Sequence, residues 1–346
     1  MHVLIVKTSS LGDIIHTLPA LTDAATACPG VRFDWLIEES FSDIPRWHPA
    51  VANVIPVAWR RWRHQVWRKH TWVEGLRYWN TLREQPYDRI IDAQGLIKSA
   101  LMTRMARGVR CGLAWKTARE PLASLVYQKR YRVDKKQHAI DRVRQLVAQI
   151  LDYPALVTPP DYGLDRQRFL TAAQSAPYLV FLHGTTWMTK HWPDTSWVEL
   201  ASIASQRGYR IKLPWGNAEE QERAVRIANQ VTKVDVLPRL RLQEIAGQIA
   251  GAAGVVAVDT GLGHLAAAFS VPTVSLYGPT NSVLTGTRGK NQRHLSVNFP
   301  CAPCLSRSCR YAQDSSLYPP CFGTLTAESV WNSLEALLTS SQVSPL

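Results

Sequence analysis

The sequence predicts an α/β protein made of two units, each with a parallel sheet. The chain has 346 residues, of which 46% are apolar, and this length suits two globular domains with ordinary cores. Short apolar runs alternate with amphipathic segments, which is the pattern of parallel sheets with crossover helices. The alternation stops at residues 151–177, where four prolines stand, and then restarts. This stretch is therefore predicted to be a linker.

The predicted strands follow the apolar runs in chain order. In the first half they lie at residues 3–6, 33–37, 54–57, 89–93 and 109–113, with helices between them. In the second half they lie at residues 178–183, 209–214, 255–258 and 273–277. Helices are predicted at residues 194–207 and 218–231, from about residue 264, and at residues 326–338. A nucleotide is expected in the crevice between the two units.

Positive charge is concentrated in the first half of the chain. The net charge is +13; residues 1–150 hold 24 Lys and Arg against 13 Asp and Glu, whereas the remainder holds 16 against 14. A basic half predicts an anionic partner: a nucleic acid, an acidic membrane face or an acidic substrate. No apolar run approaches the roughly 18–20 residues that span a bilayer, and no secretory signal is visible. We therefore expect a cytoplasmic protein with reduced cysteines.

Polar residues follow three of the predicted strands in the second half. Asp259, Thr260 and Gly261 come directly after one strand, and a helix starts near His264. Glycine lets the backbone approach a ligand closely, and N–H groups at a helix start point toward it, which suits a pyrophosphate. The alternatives are a plain helix N-cap for Asp259 and a surface or capping role for His264.

The other two strand ends carry further candidate ligands. Thr185, Thr186 and Lys190 offer two hydroxyls and an ammonium to phosphate groups. Glu219 or Glu220 is a candidate for ribose hydroxyls, unless both only complement the helix dipole, and Trp215 or Leu240 is a candidate for flanking a base. Together the three strand ends predict a site for a nucleotide diphosphate. The chain has no Asp-x-Asp sequence, so we expect leaving-group charge to be neutralised without Mg²⁺.

The turn KTSSLGDIIHTLPAL, residues 7–21, joins the first predicted strand to a predicted helix with an apolar stripe. It lacks both phosphate-binding fingerprints, G-x-G-x-x-G and G-x-x-x-x-G-K-[ST], which argues against a dinucleotide-dependent oxidoreductase. Its single glycine, Gly12, is followed by Asp13. A carboxylate repels phosphate, so Asp13 is predicted to act on the other reactant, as a general base for an attacking hydroxyl. The alternative is an acid that only stabilises the helix N-terminus. Gly12 favours the base, because glycine suits a close approach or a special φ angle.

The segment WRRWRHQVWRKHTW, residues 59–72, carries four tryptophans, five Lys or Arg, two histidines and no acid. Its arginines Arg60, Arg61 and Arg63 suit carboxylates or phosphates, and its tryptophans suit a membrane interface or base stacking. One alternative is a solvated basic helix whose indoles pack inward. Another is a nucleic-acid-binding module, although no recognised motif accompanies the segment. More positive groups follow, so a large or multiply charged anion is expected; they are Arg119, His138 and Arg142.

These stretches together resemble the ADP-heptose-dependent heptosyltransferases of lipopolysaccharide core synthesis. The motifs that carry the resemblance are KTSSLGDIIHTLPAL (7–21), IPVAWRRWR (55–63), IDAQGLIKSA (91–100), TAREPLASL (117–125), HGTT and KHW (183–192), KLPWG (212–216), VDTGLGHLAAA (258–268) and YGPT (277–280). They extend over nearly the whole chain up to about residue 295.

The resemblance implies a GT-B fold, in which two Rossmann-like domains face each other across a cleft. The expected domains are an acceptor domain at residues 1–160, a donor domain at 161–325 with a cysteine-rich tail at 300–322, and a terminal helix and tail at 326–346. The implied reaction moves heptose from ADP-L-glycero-β-D-manno-heptose to the Kdo region of Kdo2-lipid A, with inversion and without a metal cofactor. A paralogous member of the family would act on a later core heptose. The implied place is the cytoplasmic face of the inner membrane, with peripheral attachment and no nucleic-acid partner.

The resemblance also implies roles for individual residues. Asp13 matches the proposed general base of the family, and Arg60, Arg61 and Arg119 match residues that contact the acidic Kdo sugars. The residues that match the ADP-heptose site are Thr185, Thr186, Lys190, Glu220, Asp259, Thr260, Gly261 and His264. We add Gly12 and Trp215 to the predicted donor site. We add Ser10, Arg63, His138 and Arg142 to the predicted acceptor site.

Four cysteines stand close together near the carboxyl terminus, as Cys301-x2-Cys304-x4-Cys309 followed by Cys321. A C-x-x-C pair with two further cysteines is a pattern of metal ligands in a reducing compartment. The alternative is a loop of reduced thiols. A structural zinc ion and a metal-free loop therefore both stay open, and neither gives this segment a catalytic role.

Overall fold

The computed structural model describes residues 1–65, 67–170, 176–311 and 317–343. The chain divides into two compact units, Met1–Leu164 and Asp165–Leu346. The predicted boundary between residues 160 and 161 lies just before this division, and the terminal helix, predicted as a segment of its own, falls within the second unit. Residues 171–175 of the predicted linker lie outside the described residues.

The first unit is built around a six-stranded parallel sheet with the strand order β3-β2-β1-β4-β5-β6. Its elements in chain order are β1 (His2–Val6), α1 (Leu11–Ile15), α2 (Leu18–Ala27), β2 (Arg32–Glu38), α3 (Asp43–Arg46), β3 (Val51–Val57), α4 (Trp59–Trp62), α5 (Lys69–Glu84), β4 (Pro86–Asp92), α6 (Ile97–Thr103), β5 (Arg107–Leu113), β6 (Lys129–Tyr131) and α7 (Ala139–Leu151).

Apolar strands form the centre of this first sheet. β1 pairs in parallel with β2 on one side and with β4 on the other. Its residues Val3, Leu4, Ile5 and Val6 are fully buried, as expected for a central strand whose two faces are both covered. The continuous apolar run that predicted this strand therefore reflects burial on both faces.

The second unit repeats the same plan with the strand order β12-β11-β10-β7-β8-β9. Its elements are β7 (Tyr178–Leu182), α8 (Asp194–Gln206), β8 (Arg210–Leu213), α9 (Ala218–Ala228), β9 (Val234–Val236), α10 (Leu242–Ala250), β10 (Gly254–Val258), α11 (Gly261–Ala268), β11 (Thr273–Tyr277), α12 (Ser282–Thr285), β12 (Gln292–Ser296) and α13 (Ala327–Val343). The terminal helix α13 contributes Trp331 to the core that contains Phe181 and Val256.

The predicted α/β class with two Rossmann-like units is confirmed. Renumbered from its own first strand, each sheet has the order 3-2-1-4-5-6 of the doubly wound dinucleotide-binding fold. Every strand predicted from the sequence is present, with ends that differ by a few residues. Three short strands were missed: β6, β9 and β12.

One predicted helix is wrong in its continuity. The stripe after Asp13 was assigned to one helix, but the chain forms α1, which ends at Ile15, and α2, which begins at Leu18. Pro19 lies in the first turn of α2, where its missing N–H removes no helical hydrogen bond. In a continuous helix the same proline would remove a bond and clash with the preceding turn. The break therefore follows from Pro19.

Parallel pairing places the carboxyl ends of all strands of a sheet at the same edge. Chain order reverses between β1 and β4 in the first unit and between β7 and β10 in the second. In this fold class, ligands bind where the strand order reverses, outside the carboxyl ends. Within the described residues, no helix combines the length and the apolar character needed to cross a membrane.

Candidate active site

Two loops meet where strand order reverses in the first unit. One follows β1 and begins with Lys7 and Thr8, and the other follows β4 and contains Ala93 and Gln94. The backbone N–H and the hydroxyl of Thr8 both donate to Oε1 of Gln94 at 2.8 Å. Lys7 Nζ donates to the carbonyl of Ala93 at 3.3 Å. These bonds fix the start of the loop that leads to Asp13.

Asp13 lies in the first turn of α1, and its side chain is about a third exposed. Its Oδ2 accepts hydrogen bonds from the backbone N–H of Ser10 at 3.1 Å and from the Ser10 hydroxyl at 2.8 Å. Its Oδ1 lies 3.8 Å from Lys7 Nζ. Burial acts to raise the pKa of Asp13. The charges of Lys7 and His16 and the Ser10 hydrogen bonds outweigh burial and hold the pKa well below its usual 3.8. Asp13 is therefore ionised at neutral pH.

Gly12 has an ordinary helical backbone within α1 and is buried. The special φ angle offered as a reason for this glycine is therefore wrong. Ser10 is the N-cap residue of α1 and is exposed. Asp13 also stabilises the start of α1, as the alternative interpretation predicted, because its carboxylate accepts a hydrogen bond from the backbone N–H of the N-cap residue Ser10.

Buried His16 lies close to Asp13, and a second buried histidine, His138, lies beside His16. His16 begins the turn between α1 and α2, and its ring centroid lies 5.7 Å from that of His138. The Nδ1 atom of His138 accepts a hydrogen bond from the backbone N–H of Ile140, which caps α7. His138 was predicted as an acceptor ligand, but the structure gives this nitrogen a helix-capping role. The sequence analysis missed His16, although its place three residues after Asp13 was visible.

The predicted arginines of the basic segment have different surroundings. Arg60 is exposed; its backbone N–H donates to the buried Glu38, and its guanidinium lies over the ring of Phe41 at 5.2 Å. Arg63 is exposed and donates to the neighbouring His64 ring at 3.2 Å.

Arg61 is paired with two carboxylates. It contacts Glu39 at 3.4 Å and Glu74 at 3.0 Å, and hydrogen bonds to both raise its pKa. Glu74 also accepts from Trp62 Nε1 at 2.8 Å. The segment contains no acid of its own, but the fold supplies two. One comes from the turn after β2 and the other from α5.

Arg119 and Arg142 lie on the same edge of the first sheet. Arg142 donates to the carbonyl of Thr117 at 3.2 Å. Burial first, and then the nearby charge of Arg119, lower the pKa of Arg142, although Asp134 acts in the opposite direction. Arg119 itself is exposed. Two predicted acceptor residues are thus neighbours.

In the second unit, three loops bring predicted donor residues into direct contact. Asp259 follows β10, Lys190 ends a short 3-10 helix after β7, and Thr280 follows β11. Lys190 Nζ lies 2.7 Å from Oδ2 of Asp259, and both side chains are largely buried. The Thr280 hydroxyl donates to the same Oδ2 at 2.7 Å. Asp259 is not the cap of α11, because Thr260 holds that position; the capping alternative is wrong.

The loop after β7 touches the same place. Thr185 donates its hydroxyl to the carbonyl of Asp259 at 3.2 Å, and its own carbonyl contacts His191 Nε2 at 2.8 Å. Thr186, the next residue, is exposed. Gly261 is the first residue of α11, and His264 lies one turn further on and is buried. Thr280 was not assigned to the site, although its motif had been recognised.

Glu220 connects the β8 loop to this group. Its Oε2 accepts from the backbone N–H of Gly216 at 2.7 Å. A Cβ atom on Gly184 would lie 2.6 Å from the Glu220 carboxyl carbon, so a larger residue there would have to displace the Glu220 side chain. Trp215 is half-buried and donates from Nε1 to the carbonyl of Leu237 at 2.6 Å. The predicted donor residues of the second unit therefore cluster around the carboxyl ends of β7, β8 and β10, whereas Gly12 belongs to the first unit.

The four clustered cysteines line one cavity of the second unit, of about 270 Å³. All four are free thiols. Burial first, and then the other three thiols, raise the pKa of Cys321 to about 11. In the part of the chain that the structure describes, no three His, Cys, Asp or Glu side chains are already arranged to hold a metal ion.

Glycosyltransferase family 9 (heptosyltransferase) matches residues 75–314 of this chain. The chain is 54% identical to Lipopolysaccharide heptosyltransferase 1 of Pseudomonas aeruginosa over 352 residues, which cover 99% of each protein. It is less similar to Lipopolysaccharide heptosyltransferase 2 of Escherichia coli, at 28% identity over 60% of this chain and 64% of the relative.

Two solved structures share the fold over almost the whole chain. Escherichia coli heptosyltransferase WaaC with ADP has a TM-score of 0.86 at 46% identity, covering 97% of this chain and 100% of the other. The same enzyme with ADP-2-deoxy-2-fluoro heptose has a TM-score of 0.83 at 45% identity, covering 97% and 99%.

Proposed function

Because the chain belongs to glycosyltransferase family 9, the heptosyltransferases, we propose that it transfers heptose in the synthesis of the lipopolysaccharide core. The resemblance drawn from the sequence motifs and the predicted glycosyltransferase class are confirmed. The observation that carries the proposal is the 54% identity to a heptosyltransferase 1 over the whole chain. A second observation supports the proposal: the predicted donor residues of the second unit cluster at the carboxyl ends of β7, β8 and β10.

The proposed acceptor is the Kdo region of Kdo2-lipid A, which receives the first heptose. Identity is 54% with a heptosyltransferase 1 but 28% with a heptosyltransferase 2. That difference supports the first transfer over the alternative, in which a paralogous enzyme acts on a later core heptose. The basic first unit suits an acceptor with several acidic groups.

The proposed donor is ADP-L-glycero-β-D-manno-heptose, bound by the second unit. The support is the pair of WaaC structures, one with ADP and one with ADP-2-deoxy-2-fluoro heptose. In this chain, Lys190 and the N-terminus of α11 supply positive charge for a pyrophosphate. Since Lys190 is already paired with Asp259, an incoming phosphate competes with this carboxylate for the ammonium. Glu220 and Trp215 are assigned to the ribose and the base.

Transfer is proposed to need no metal or other cofactor. The leaving ADP carries negative charge that must be stabilised as its bond to the sugar breaks. Lys190, the hydroxyls of Thr185 and Thr186 and the first N–H groups of α11 provide this stabilisation in our proposal. A carboxylate-bound metal ion is then unnecessary.

Asp13 is proposed as the general base of an inverting displacement. The acceptor oxygen attacks the anomeric carbon opposite the ADP group, the C–O bond to phosphate breaks, and its electron pair leaves with ADP. The attacking hydroxyl passes its proton to Asp13 as the new C–O bond forms. The low pKa makes Asp13 a weak base. The same low pKa keeps its carboxylate ionised, which is the form that accepts a proton. The hydroxyl becomes strongly acidic as its oxygen loses electron density, so a weak base suffices.

The acceptor is proposed to bind arginines at the edge of the first sheet. Arg60 and Arg119 are exposed and can reach an anion. Arg61 has to share its guanidinium with Glu39 and Glu74. Arg63, Arg142 and Ser10 are assigned secondary positions around the same ligand. His138 is assigned a supporting role beside His16.

We assign the protein to the cytoplasmic face of the inner membrane, attached peripherally. The support is an apolar surface on the first unit, formed by α6 and the 3-10 helix Pro121–Val126. These elements pack through Ala100 and Ala123, and they leave Leu101, Leu122 and Leu125 more than half exposed. Exposed leucines beside Arg119 suit a surface of anionic lipid. A nucleic-acid partner is not part of the proposal, because the proposed acidic acceptor accounts for the positive charge of the first unit.

The proposed reaction can be tested by a transfer assay with saturating ADP-heptose. Kdo2-lipid A should be heptosylated, and an already heptosylated acceptor should react at least about tenfold more slowly, a difference of about 1.4 kcal/mol. Treatment with EDTA should not abolish transfer. Strict dependence on added Mg²⁺ or Mn²⁺ would refute the metal-independent step, and preference for the heptosylated acceptor would favour the paralogue.

The acceptor assignment can be tested with the double variant Arg60→Ala and Arg61→Ala. The KM for the acceptor should rise by about tenfold or more, because two charge-assisted contacts are lost and Glu39 and Glu74 are left to repel an anion. Affinity for ADP should not change, since these arginines belong to the first unit. Arg46→Ala, an exposed arginine paired with Asp43, is the control. Equal losses for ADP and acceptor would show that the assignment is wrong.

Membrane attachment can be tested by co-sedimentation with vesicles that contain anionic phospholipid. Replacing Leu122 and Leu125 by Ser should weaken vesicle binding by about tenfold, because less apolar surface is then removed from water when the protein binds the membrane. Val283→Ser, which changes an exposed residue of the second unit, should bind like the native protein. Unchanged binding of the double leucine variant would exclude this surface.

The base assignment can be tested with Asp13→Asn. The amide oxygen can still accept from Ser10, so the helix should form, with a modest loss of stability from the lost charge beside Lys7. We expect kcat to fall by about 10²–10⁴-fold with little change in ADP affinity. Asp43→Asn, which changes an acid in the first turn of α3, is the matched control and should keep normal kcat. An Asp13→Asn enzyme with more than about a third of native kcat, at rate-limiting chemistry, would eliminate Asp13 as the base.

A further inference from the structure

The cavity lined by the four cysteines lies on a segment that the proposed reaction does not use. Cys301, Cys304 and Cys309 are half-buried, and Cys321 is buried at the start of a 3-10 helix. The cavity also contains the guanidinium-bearing Arg310. Cys309 and Cys321 are separated by eleven residues in sequence, yet their thiols line the same cavity.

We propose that these four thiols form a binding site for one Zn²⁺ ion. Thiolates are preferred ligands of Zn²⁺, and four of them complete the tetrahedral shell of a structural site, at about 2.3 Å from the metal. The thiols line the cavity without yet being arranged around one point. Binding therefore requires them to turn inward and the cavity to contract. Four thiolates around Zn²⁺ leave a net charge of about −2, and Arg310 offsets part of it.

The same segment is bonded to two loops of the donor site. The hydroxyl of Thr189 donates to the carbonyl of Ser306 at 2.7 Å, and Thr189 immediately precedes Lys190. The backbone N–H of Leu305 donates to the carbonyl of Pro279 at 2.8 Å, and Pro279 immediately precedes Thr280. The cysteine segment therefore supports the two residues that contact the carboxylate of Asp259, Lys190 and Thr280.

A third contact lies on the ring of Trp187. The guanidinium of Arg307 lies 5.0 Å from the ring centroid, and Lys190 Nζ lies 4.6 Å from it. The ring thus connects the cysteine segment to the ammonium assigned to the pyrophosphate. We expect bound zinc to fix the segment and thereby to hold Lys190 and Thr280 in place. This coupling to the donor rests on the proposed function; the metal site does not.

The metal site is tested by titrating the reduced full-length protein with Zn²⁺ against a chromophoric chelator, and with Co²⁺ as a spectroscopic probe. The native protein should bind one equivalent, and Co²⁺ should give sulfur-to-metal charge-transfer bands. Cys301→Ser with Cys304→Ser, at two half-buried positions that tolerate a hydroxyl, should lose both signals. Cys28→Ser, which changes a half-buried thiol of the first unit, should keep them. Absence of stoichiometric binding, or its persistence in the double variant, would overturn the site.

The coupling is tested by measuring the dissociation constant of ADP with and without bound zinc. Zinc should tighten ADP binding by about fivefold or more in the native protein, the lower range of measured couplings between sites. It should have no effect in the double cysteine variant. Equal ADP affinity in both metal states would overturn the coupling while leaving the metal site in place. Failure to bind ADP in either state would instead overturn the proposed donor site.

Discussion

The parallel pairing of strands is the constraint on which the rest of the structure depends. In a parallel sheet every connection returns across the face of the sheet. The carboxyl ends of all strands, with the loops that follow them, therefore lie at one edge. In the second unit this brings Asp259, Lys190 and Thr280 within 2.7 Å contacts, although they follow three different strands. In the first unit it brings Thr8 to Gln94 across 86 positions of sequence. The chemistry of each unit is therefore assembled by topology from short, separate motifs.

The charged side chains at these sheet edges already form ion pairs, so a charged ligand has to compete with their present partners. A partly buried ion without a partner is costly, so a fold that gathers charged groups must also supply counter-charges. Lys190 has Asp259, Arg61 has Glu39 and Glu74, and Asp13 has Lys7. A ligand that binds one of these cations replaces an existing partner, and net affinity is the difference between the two interactions. Exchange of partners also favours ligands with more than one negative charge.

The sequence predicted the central strands and the composition of the donor site, because both depend on local patterns. Buried strands such as β1 are apolar throughout, and the donor-site residues belong to short contiguous motifs at strand ends that are visible in the sequence. The missed strands β6, β9 and β12 all lie at the edges of their sheets and contain no buried residue, so burial leaves no long apolar run in them. The carboxylate partners of Arg61 were also invisible, because Glu39 comes from a distant segment. Pairings between distant residues need the fold, which local patterns cannot supply.

The two interpretations of Asp13 are compatible, since a carboxylate has two oxygens with about four acceptor positions. Its Oδ2 accepts both hydrogen bonds from Ser10 and so orients the side chain, whereas Oδ1 lies beside Lys7 at 3.8 Å, beyond a good hydrogen bond. The bonds that stabilise the helix leave one oxygen available to a reacting hydroxyl. They also restrict the rotation of the carboxylate, and a base held in one orientation loses less entropy when it meets its substrate. The helix-capping geometry is thus a means of positioning the base rather than a reason to reject it.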